Sequence, residues 1–298
     1  MMTSSSLRAF LELARSGSVN GAAARLHVTQ PAVTAAVRSL ERELRTALVA
    51  RRGRGIALTP AGEVLAAYAA RVLGLLDETR AAVEEAADPE RGRVRLAAVT
   101  TVGEHVLPAL IRDFRARHPR IELRVEVGNR LLVWERLRNR EADLAVAGRP
   151  PAGFGFDGIS FWPNDLVVAA PTAMSVGREP VRPSSLARAT WLLREEGSGT
   201  RATAEEFLAA AGIAPPTLTI GSNGAIVESV AAGLGVTLIS LDAVRRAADA
   251  AAVRIVGVRG LPIHRAWHVV TRSGDEPRGA PAMFREFLAR AGVASGPG

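Results

Sequence analysis

From Pro60 to about Ala87 the chain runs for about 28 residues with no signal that would break a helix, and Leu65, Tyr68, Val72, Leu75 and Thr79 alternate spacings of three and four. At 1.5 Å per residue such a helix reaches roughly 40 Å, longer than a small domain is wide. It cannot bury itself, so the chain must divide around it, and its apolar seam requires a second helix as partner. Thr59-Pro60 starts it, with proline in the first turn where a missing N–H costs nothing, and Asp88-Pro89 ends it.

Charge divides the chain at the same place. Residues 1–58 hold nine Arg against three Glu, a net of +6, residues 59–90 carry −5, and the remainder carries +7. A basic head before an acidic helix calls for an anionic partner. All 38 basic residues are Arg, which with the abundance of Ala, Gly and Pro reflects a GC-rich genome more than a binding function. Cysteine is absent, which excludes disulfides and thiolate chemistry and fits a reducing cytoplasm. No run approaches the ~18 apolar residues of a membrane span, and the amino terminus lacks the apolar core of a secretory signal. A cytoplasmic protein with no membrane association is expected.

Within the head, Leu7, Phe10, Leu11 and Ala14 recur at helical spacing and SGSVN breaks the pattern. Asn20 is read as the cap of a short second helix, GAAARL, whose alanines permit close approach of a neighbour. His27 and Val28 make a turn. Thr29 is a natural N-cap, Pro31 falls in the first turn, and Val33, Val37, Leu40 and Leu44 form the core stripe of a third helix. That leaves Gln30, Thr34 and Arg38 on the neighbouring flank. LVARRGRGIALT then reads as two short strands with Arg52 and Arg54 at a glycine turn. Two short helices, a tight turn and a basic hairpin match a winged helix-turn-helix. Gln pairs with adenine and Arg with guanine or phosphate, each good base contact discriminating by ~1–3 kcal/mol.

The residues GSVNGAAARLHVTQPAVTAAVRSLERELRTALVARRGRGIALTPAGE resemble the amino-terminal signature of the LysR-type transcriptional regulators, closely over residues 7–64. The resemblance implies a DNA-binding domain over residues 1–58, a linker and dimerisation helix over 59–90, and an effector-binding domain over 91–298. It places Thr29, Gln30, Pro31, Thr34, Arg38, Arg52 and Arg54 against double-stranded promoter DNA. It also implies a homodimer through the linker helix, usually a homotetramer, responding to a small molecule, with RNA polymerase as a further partner. Three positions depart from the family pattern. Arg45 stands where Gly is usual, which would force a side chain to φ > 0, Val49 stands where Phe is usual, and Ala35 replaces a position often polar.

From Arg93 the period changes. VRLAAV, the helical stretch GEHVLPALIRDFRARHP, IELRVEV, LLVWERLRNRE and ADLAVAG alternate as strands and helices, and DLVVAAP opens a second such set through VTLIS. The last strand, WHVVT, and helix, APAMFREFLARAG, return by order to the first set. The fold class is therefore α/β behind a helix-rich head; the resemblance to the family implies two α/β subdomains like those of periplasmic binding proteins, subdomain I over about 91–162 and 268–298 and subdomain II over about 163–267. Tail residues 292–298 are expected to be disordered.

Three polar clusters fall where a strand ends and a helix begins: Thr100-Thr101-Val102-Gly103, Gly197-Ser198-Gly199-Thr200 and Gly221-Ser222-Asn223-Gly224. Helix N-termini suit anions, and in an open α/β sheet ligands bind outside the carboxyl ends of the strands. Gly128-Asn129 and Gly148-Arg149 would line the other wall. The resemblance carries effector contact onto Thr100, Thr101, Ser198, Thr200 and Asn223, with Gly128, Asn129, Gly199 and Arg149 beside them and Arg130 and Arg201 as weaker candidates. LLREEGSGTRATAEEFL and IGSNGAIVESVAAGLGVTLIS look most like the subgroup controlling carbon-fixation (RuBisCO) operons, which points to a phosphorylated or carboxylated metabolite.

The rival readings are an enzyme and a transport-type solute-binding protein built on the same α/β domain. Ser198 lies in Gly-Ser-Gly, not in a hydrolase elbow, and the five His are scattered, His264 and His268 falling in a strand-like segment. Gly53-Arg54-Gly55 lacks the third glycine of a dinucleotide fingerprint. Asp143 and Glu141 read as solvated loop residues. No catalytic residue, metal or cofactor is expected, and the basic head argues against a solute carrier.

Overall fold

The computed structural model describes residues 2–53, 55–88 and 91–294. They form two compact units: residues 1–87 with the short segment 138–141, and residues 88–137 with 142–298. Arg54 and residues 295–298 lie outside the described residues.

In the first unit α1 (Ser4–Ser16) opens with a reciprocal cap. The Thr3 hydroxyl accepts from the Ser6 N–H at 3.1 Å, and the Thr3 N–H donates to Ser6 Oγ at 2.9 Å. Gly17, at φ 64°, closes the helix. Helix α2 (Val19–Leu26) is capped by Ser18, not Asn20: the Ser18 hydroxyl accepts from the Gly21 N–H, and Asn20 falls inside the first turn. His27 supplies a left-handed turn at φ 54°, and α3 (Gln30–Leu44) begins with Thr29 at its N-cap position and proline in the first turn. The Thr29 side chain makes no capping bond.

Val33, Val37 and Leu40 of α3 pack with Leu7, Phe10, Leu13, Ala22 and Ala23 in one core. Leu44 does not join them; it is 41% exposed, because the helix ends there and Arg45 turns the chain away at φ 52°. The hairpin of β1 (Val49–Arg52) and β2 (Gly55–Leu58) is antiparallel, and α4 (Pro60–Ala87) follows. Thr59 locks that junction. Its hydroxyl donates to the Ala47 carbonyl at 2.7 Å and accepts from the Gly62 N–H at 3.0 Å. A Cβ on Gly62 would stand 2.0 Å from the Leu48 carbonyl oxygen, so this close approach requires the glycine that ends the signature's Thr-Pro-Ala-Gly.

The second unit opens with β3 (Gly92–Val99), followed by α5 (Thr100–His105) and α6 (Leu107–Arg117). The stretch 103–119 reads as one helix by period but is two. Pro108 lacks the N–H that would bond back into α5, and the chain restarts at Val106. Next come β4 (Ile121–Gly128), α7 (Arg130–Arg138), β5 (Leu144–Ala147) and β6 (Phe156–Pro163). After them run β7 (Leu166–Pro171), a 3-10 turn at Pro183–Leu186, β8 (Trp191–Leu193), α8 (Gly199–Ala210), β9 (Thr217–Thr219), α9 (Asn223–Ala231) and β10 (Thr237–Ser240). The chain closes with α10 (Leu241–Asp249), β11 (Val253–Val256), β12 (Ala266–Arg272) and α11 (Gly279–Ala294). Gly292 to Ala294, expected from sequence to be disordered, continue this last helix.

Two sheets result. The first has the order β4-β3-β5-β12-β6, with β3 parallel to β4 and β5 and the returning β12 antiparallel to β5 and β6. One face packs Val94, Leu96 and Val146 against Phe114 of α6 and Phe284 and Leu288 of α11, with the two Phe rings edge-on at 4.8 Å. The opposite face carries small Ala97, Ala145 and Ala147, which admit Trp134 and Leu137 of α7.

The second sheet has the order β10-β7-β11 and is extended by the parallel pair β8-β9 through a bridge at Trp191 and Val236. Its faces pack against α8 on one side and against α9 and α10 on the other. The chain crosses between the sheets twice, where the Asn164 N–H donates to the Arg265 carbonyl at 2.8 Å. Asp143 is not a solvated loop residue. Its carboxylate accepts from the Arg95 backbone N–H at 2.7 Å and from the same residue's guanidinium, both side chains nearly buried, and so fixes β5 to β3.

Candidate DNA interface and candidate effector cleft

In the first unit, Gln30, Thr34 and Arg38 fall four residues apart on α3, one face of a 3.6-residue helix, beside the buried stripe of Val33, Val37 and Leu40. Their side chains make no hydrogen bond or ion pair with any other described residue. They line a concave surface together with Pro31, Ala35, Arg42, Arg45 and Thr46. Arg42 and Arg45 extend the cationic row past the residues named from sequence. Arg42 was legible as the next member of the four-residue series, whereas Arg45 arrives only because the left-handed turn swings it round.

Thr29 is exposed at the start of the same face, and Arg52 is exposed at the end of β1. Glu41 supplies a part that the periodicity did not single out. Its carboxylate accepts from the Leu48 N–H at 2.9 Å and the Val49 N–H at 3.4 Å, holding the hairpin at a set angle to α3. Buried Leu40 faces the core and Glu41 ties the hairpin, which is what the Leu-Glu of the signature does here.

In the second unit a cleft opens where both sheets present the carboxyl ends of their strands, and it encloses about 70 Å³. Thr100, Thr101, Gly128, Asn129 and Arg149 line it from the first sheet, with Ser198, Gly199 and Thr200 opposite. All eight were named from sequence. So was Asn223, but it lies behind the wall, 1% exposed, with both amide atoms engaged. Arg130 lines the cleft, whereas Arg201 pairs with Glu205 on the outer side of α8.

The structure adds Arg194, Arg265, Asn164 and Trp267. Arg194 directly follows β8, so the strand-end rule that found Arg149 also reaches it. Arg265 and Asn164 belong to the crossing segments and gave no local signal. Asn164 Oδ1 is buried with no partner among the described residues.

The polar groups of the cleft divide by what already holds them. Thr100 Oγ1 donates to the Gly128 carbonyl at 3.2 Å, and Asn129 Oδ1 accepts from the Leu132 N–H at 2.9 Å, capping α7. Arg265 donates to the Thr203 hydroxyl. Arg194 donates to Glu195 at 2.7 and 2.9 Å. Burial pushes the Glu195 carboxyl up, but the hydrogen bonds and charge of Arg194 together with a backbone hydrogen bond outweigh it and hold the group below the usual carboxylate range.

Arg130 and Arg149 have no such partner among the described residues. Behind them His268 is held below its ordinary value, first by burial and further by the charge of Arg149, against a hydrogen bond to the Ala266 carbonyl that acts the other way. Four arginines and no carboxylate line the cleft, at the N-terminal end of the twelve-residue α8. That combination is suited to an anion.

Among the described residues no helix is long and apolar enough to cross a membrane. Residues 4–63 match the family described as bacterial regulatory helix-turn-helix protein, lysR family, and residues 87–292 match the LysR substrate binding domain. The RuBisCO operon transcriptional regulator of Allochromatium vinosum is 34% identical over 95% of this chain and 94% of its own. That of Acidithiobacillus ferrooxidans is 33% identical over 95% and 92%. These agree with the subgroup read from residues 192–240.

Among solved structures, the regulatory domain of Synechocystis CcmR in complex with 2-PG is 27% identical with a TM-score of 0.65, covering 68% of this chain and 98% of that one. CbnR complexed with its target DNA has a TM-score of 0.68 at 22% identity over 97% and 100%, a likeness of fold. The matched families and relatives are regulators and not enzymes. The protein belongs to the LysR family of bacterial transcriptional regulators, with a helix-turn-helix DNA-binding head followed by an effector-binding domain.

Proposed function

We propose that α3 enters the major groove of promoter DNA with Gln30, Thr34 and Arg38 toward base edges, Thr29 and Pro31 at the backbone, and Arg52 and Arg54 along the flanking phosphates. The support is the row of polar side chains with no partner among the described residues, on a head of net charge +6. The exposed apolar row Val64, Tyr68, Val72, Leu75 and Val83 of α4 supports a homodimer through that helix. Assembly to a homotetramer, contact with RNA polymerase and a cytoplasmic location complete the reading.

The effector is a small anionic metabolite, phosphorylated or carboxylated, bound between subdomain I (about 91–162 and 268–298) and subdomain II (about 163–267). The observation that carries this is a cleft lined by four arginines and no carboxylate. A ligand held from both walls at once favours the arrangement of the two subdomains that lets them meet around it, which is how occupancy alters DNA binding.

A thermal-shift screen of anionic metabolites tests the cleft, since a ligand at ~100 times its dissociation constant adds about 2.7 kcal/mol. Stabilisation that disappears in Thr200→Ala and Arg149→Gln is the expected result; a response unchanged in both variants contradicts it.

A further inference from the structure

Asn223 sits where two demands meet. Its Oδ1 accepts from Arg194 Nη1 at 2.5 Å, and its Nδ2 donates to Thr101 Oγ1 at 2.9 Å. Arg194 is 5% exposed, Thr101 4% and Asn223 1%. The direction of this chain of bonds is fixed by chemistry. A guanidinium only donates, so the amide oxygen must face Arg194 and the amide NH2 must face Thr101. The Thr101 hydroxyl therefore spends a lone pair on Asn223 and keeps its proton. The hydroxyl donates no hydrogen bond to any other described residue, and Thr101 lines the cleft.

We propose that Asn223 is a positioning residue that commits the Thr101 hydroxyl to donate into the cleft, making a buried relay from Arg194 through Asn223 to Thr101 that selects an anionic oxygen as ligand. This rests on the anion-binding reading of the cleft. The relay also joins the two halves, since Thr101 belongs to α5 and Asn223 to α9. The cationic end polarises the chain, which strengthens the donor at its other end. A ligand group that only donates, such as an ammonium, meets a proton there and is refused.

The test is a double-mutant cycle by calorimetry on the full chain, with inorganic phosphate as the probe. Asn223→Asp has the same shape, but its carboxylate accepts from both Arg194 and Thr101, so the hydroxyl proton turns away from the cleft. Phosphate affinity should fall at least tenfold, and about as far in Thr101→Val. In the double variant it should fall no more than twofold beyond Asn223→Asp alone, because the donor is already lost. Losses that multiply in the double variant overturn the relay.

If Asn223→Asp does not fold, Thr101→Ser, which keeps the hydroxyl, should bind within twofold of wild type while Thr101→Val loses tenfold. Equal losses in the two overturn the relay. Phosphate binding that is lost in Arg149→Gln while the cycle stays multiplicative removes the relay and leaves the anion cleft standing. A wild-type protein that binds no phosphate removes both.

Discussion

The DNA face and the effector cleft are both polar sites in one chain, and they differ in how their side chains are held. Gln30, Thr34 and Arg38 stand out from α3 with no partner among the described residues. Thr100, Asn129, Arg194, Arg265 and Asn223 are nearly all engaged before any ligand arrives. A surface that tracks phosphates and base edges gains from side chains free to adjust, whereas a cleft that discriminates one small ligand gains from donors already aimed. The two should therefore respond differently to mutation.

The largest expected effect separates fold from site. Asp143→Ala removes the carboxylate that accepts from both the backbone N–H and the guanidinium of Arg95, which should cost about 3 kcal/mol in the second unit and lower its melting transition in calorimetry. The comparison fails if DNA retention by the head falls as steeply as that transition. Next comes Arg38→Ala, expected to weaken DNA binding by ~1–3 kcal/mol in a gel shift while the anion-induced thermal shift stays intact. Arg149→Gln should show the reverse pattern.

A smaller effect is expected at Arg45, whose left-handed backbone strains a non-glycine residue. Arg45→Gly should stabilise the head by about 1 kcal/mol in denaturant unfolding and yet loosen DNA retention, because a cation leaves the concave face. The smallest concerns pH. The folded protein holds His268 below the ordinary value of 6.5, so the unfolded chain takes up this proton first as pH falls. Stability from this residue is fully present above pH 6.5 and is lost on descending toward the folded value. His268→Gln should flatten that part of the profile without moving DNA binding at neutral pH.

What could be read from the chain follows the range of the interaction concerned. Gln30, Thr34 and Arg38 are legible because one helical period places them, and the strand-end rule finds Thr100, Ser198 and Arg149 because each follows its own strand. Ser18 caps α2 where Asn20 was expected, because either residue fits that role locally and the helix begins two residues earlier than the run of alanines suggests. Strand β6, with its Gly158 and terminal Pro163, shows no clean alternation and gives no strand signal in the sequence. Arg265 and Asn164 reach the cleft only because the chain crosses between sheets there, and Asp143 becomes structural only once β5 lies beside β3. Asn223 was legible as a polar residue at a helix start, but its two partners, 29 and 122 residues away, were not.

The most direct test of a DNA reader governed by an anion cleft is a salt titration of retention on the gene's own upstream DNA, with and without saturating anion from the thermal-shift screen. Retention should depend on sequence, weaken steeply and linearly in the logarithm of salt as phosphate contacts are lost, and shift in wild type but not in Arg149→Gln when the anion is added. Retention that is indifferent to sequence and salt, or a shift with anion that persists unchanged in Arg149→Gln, would contradict the account.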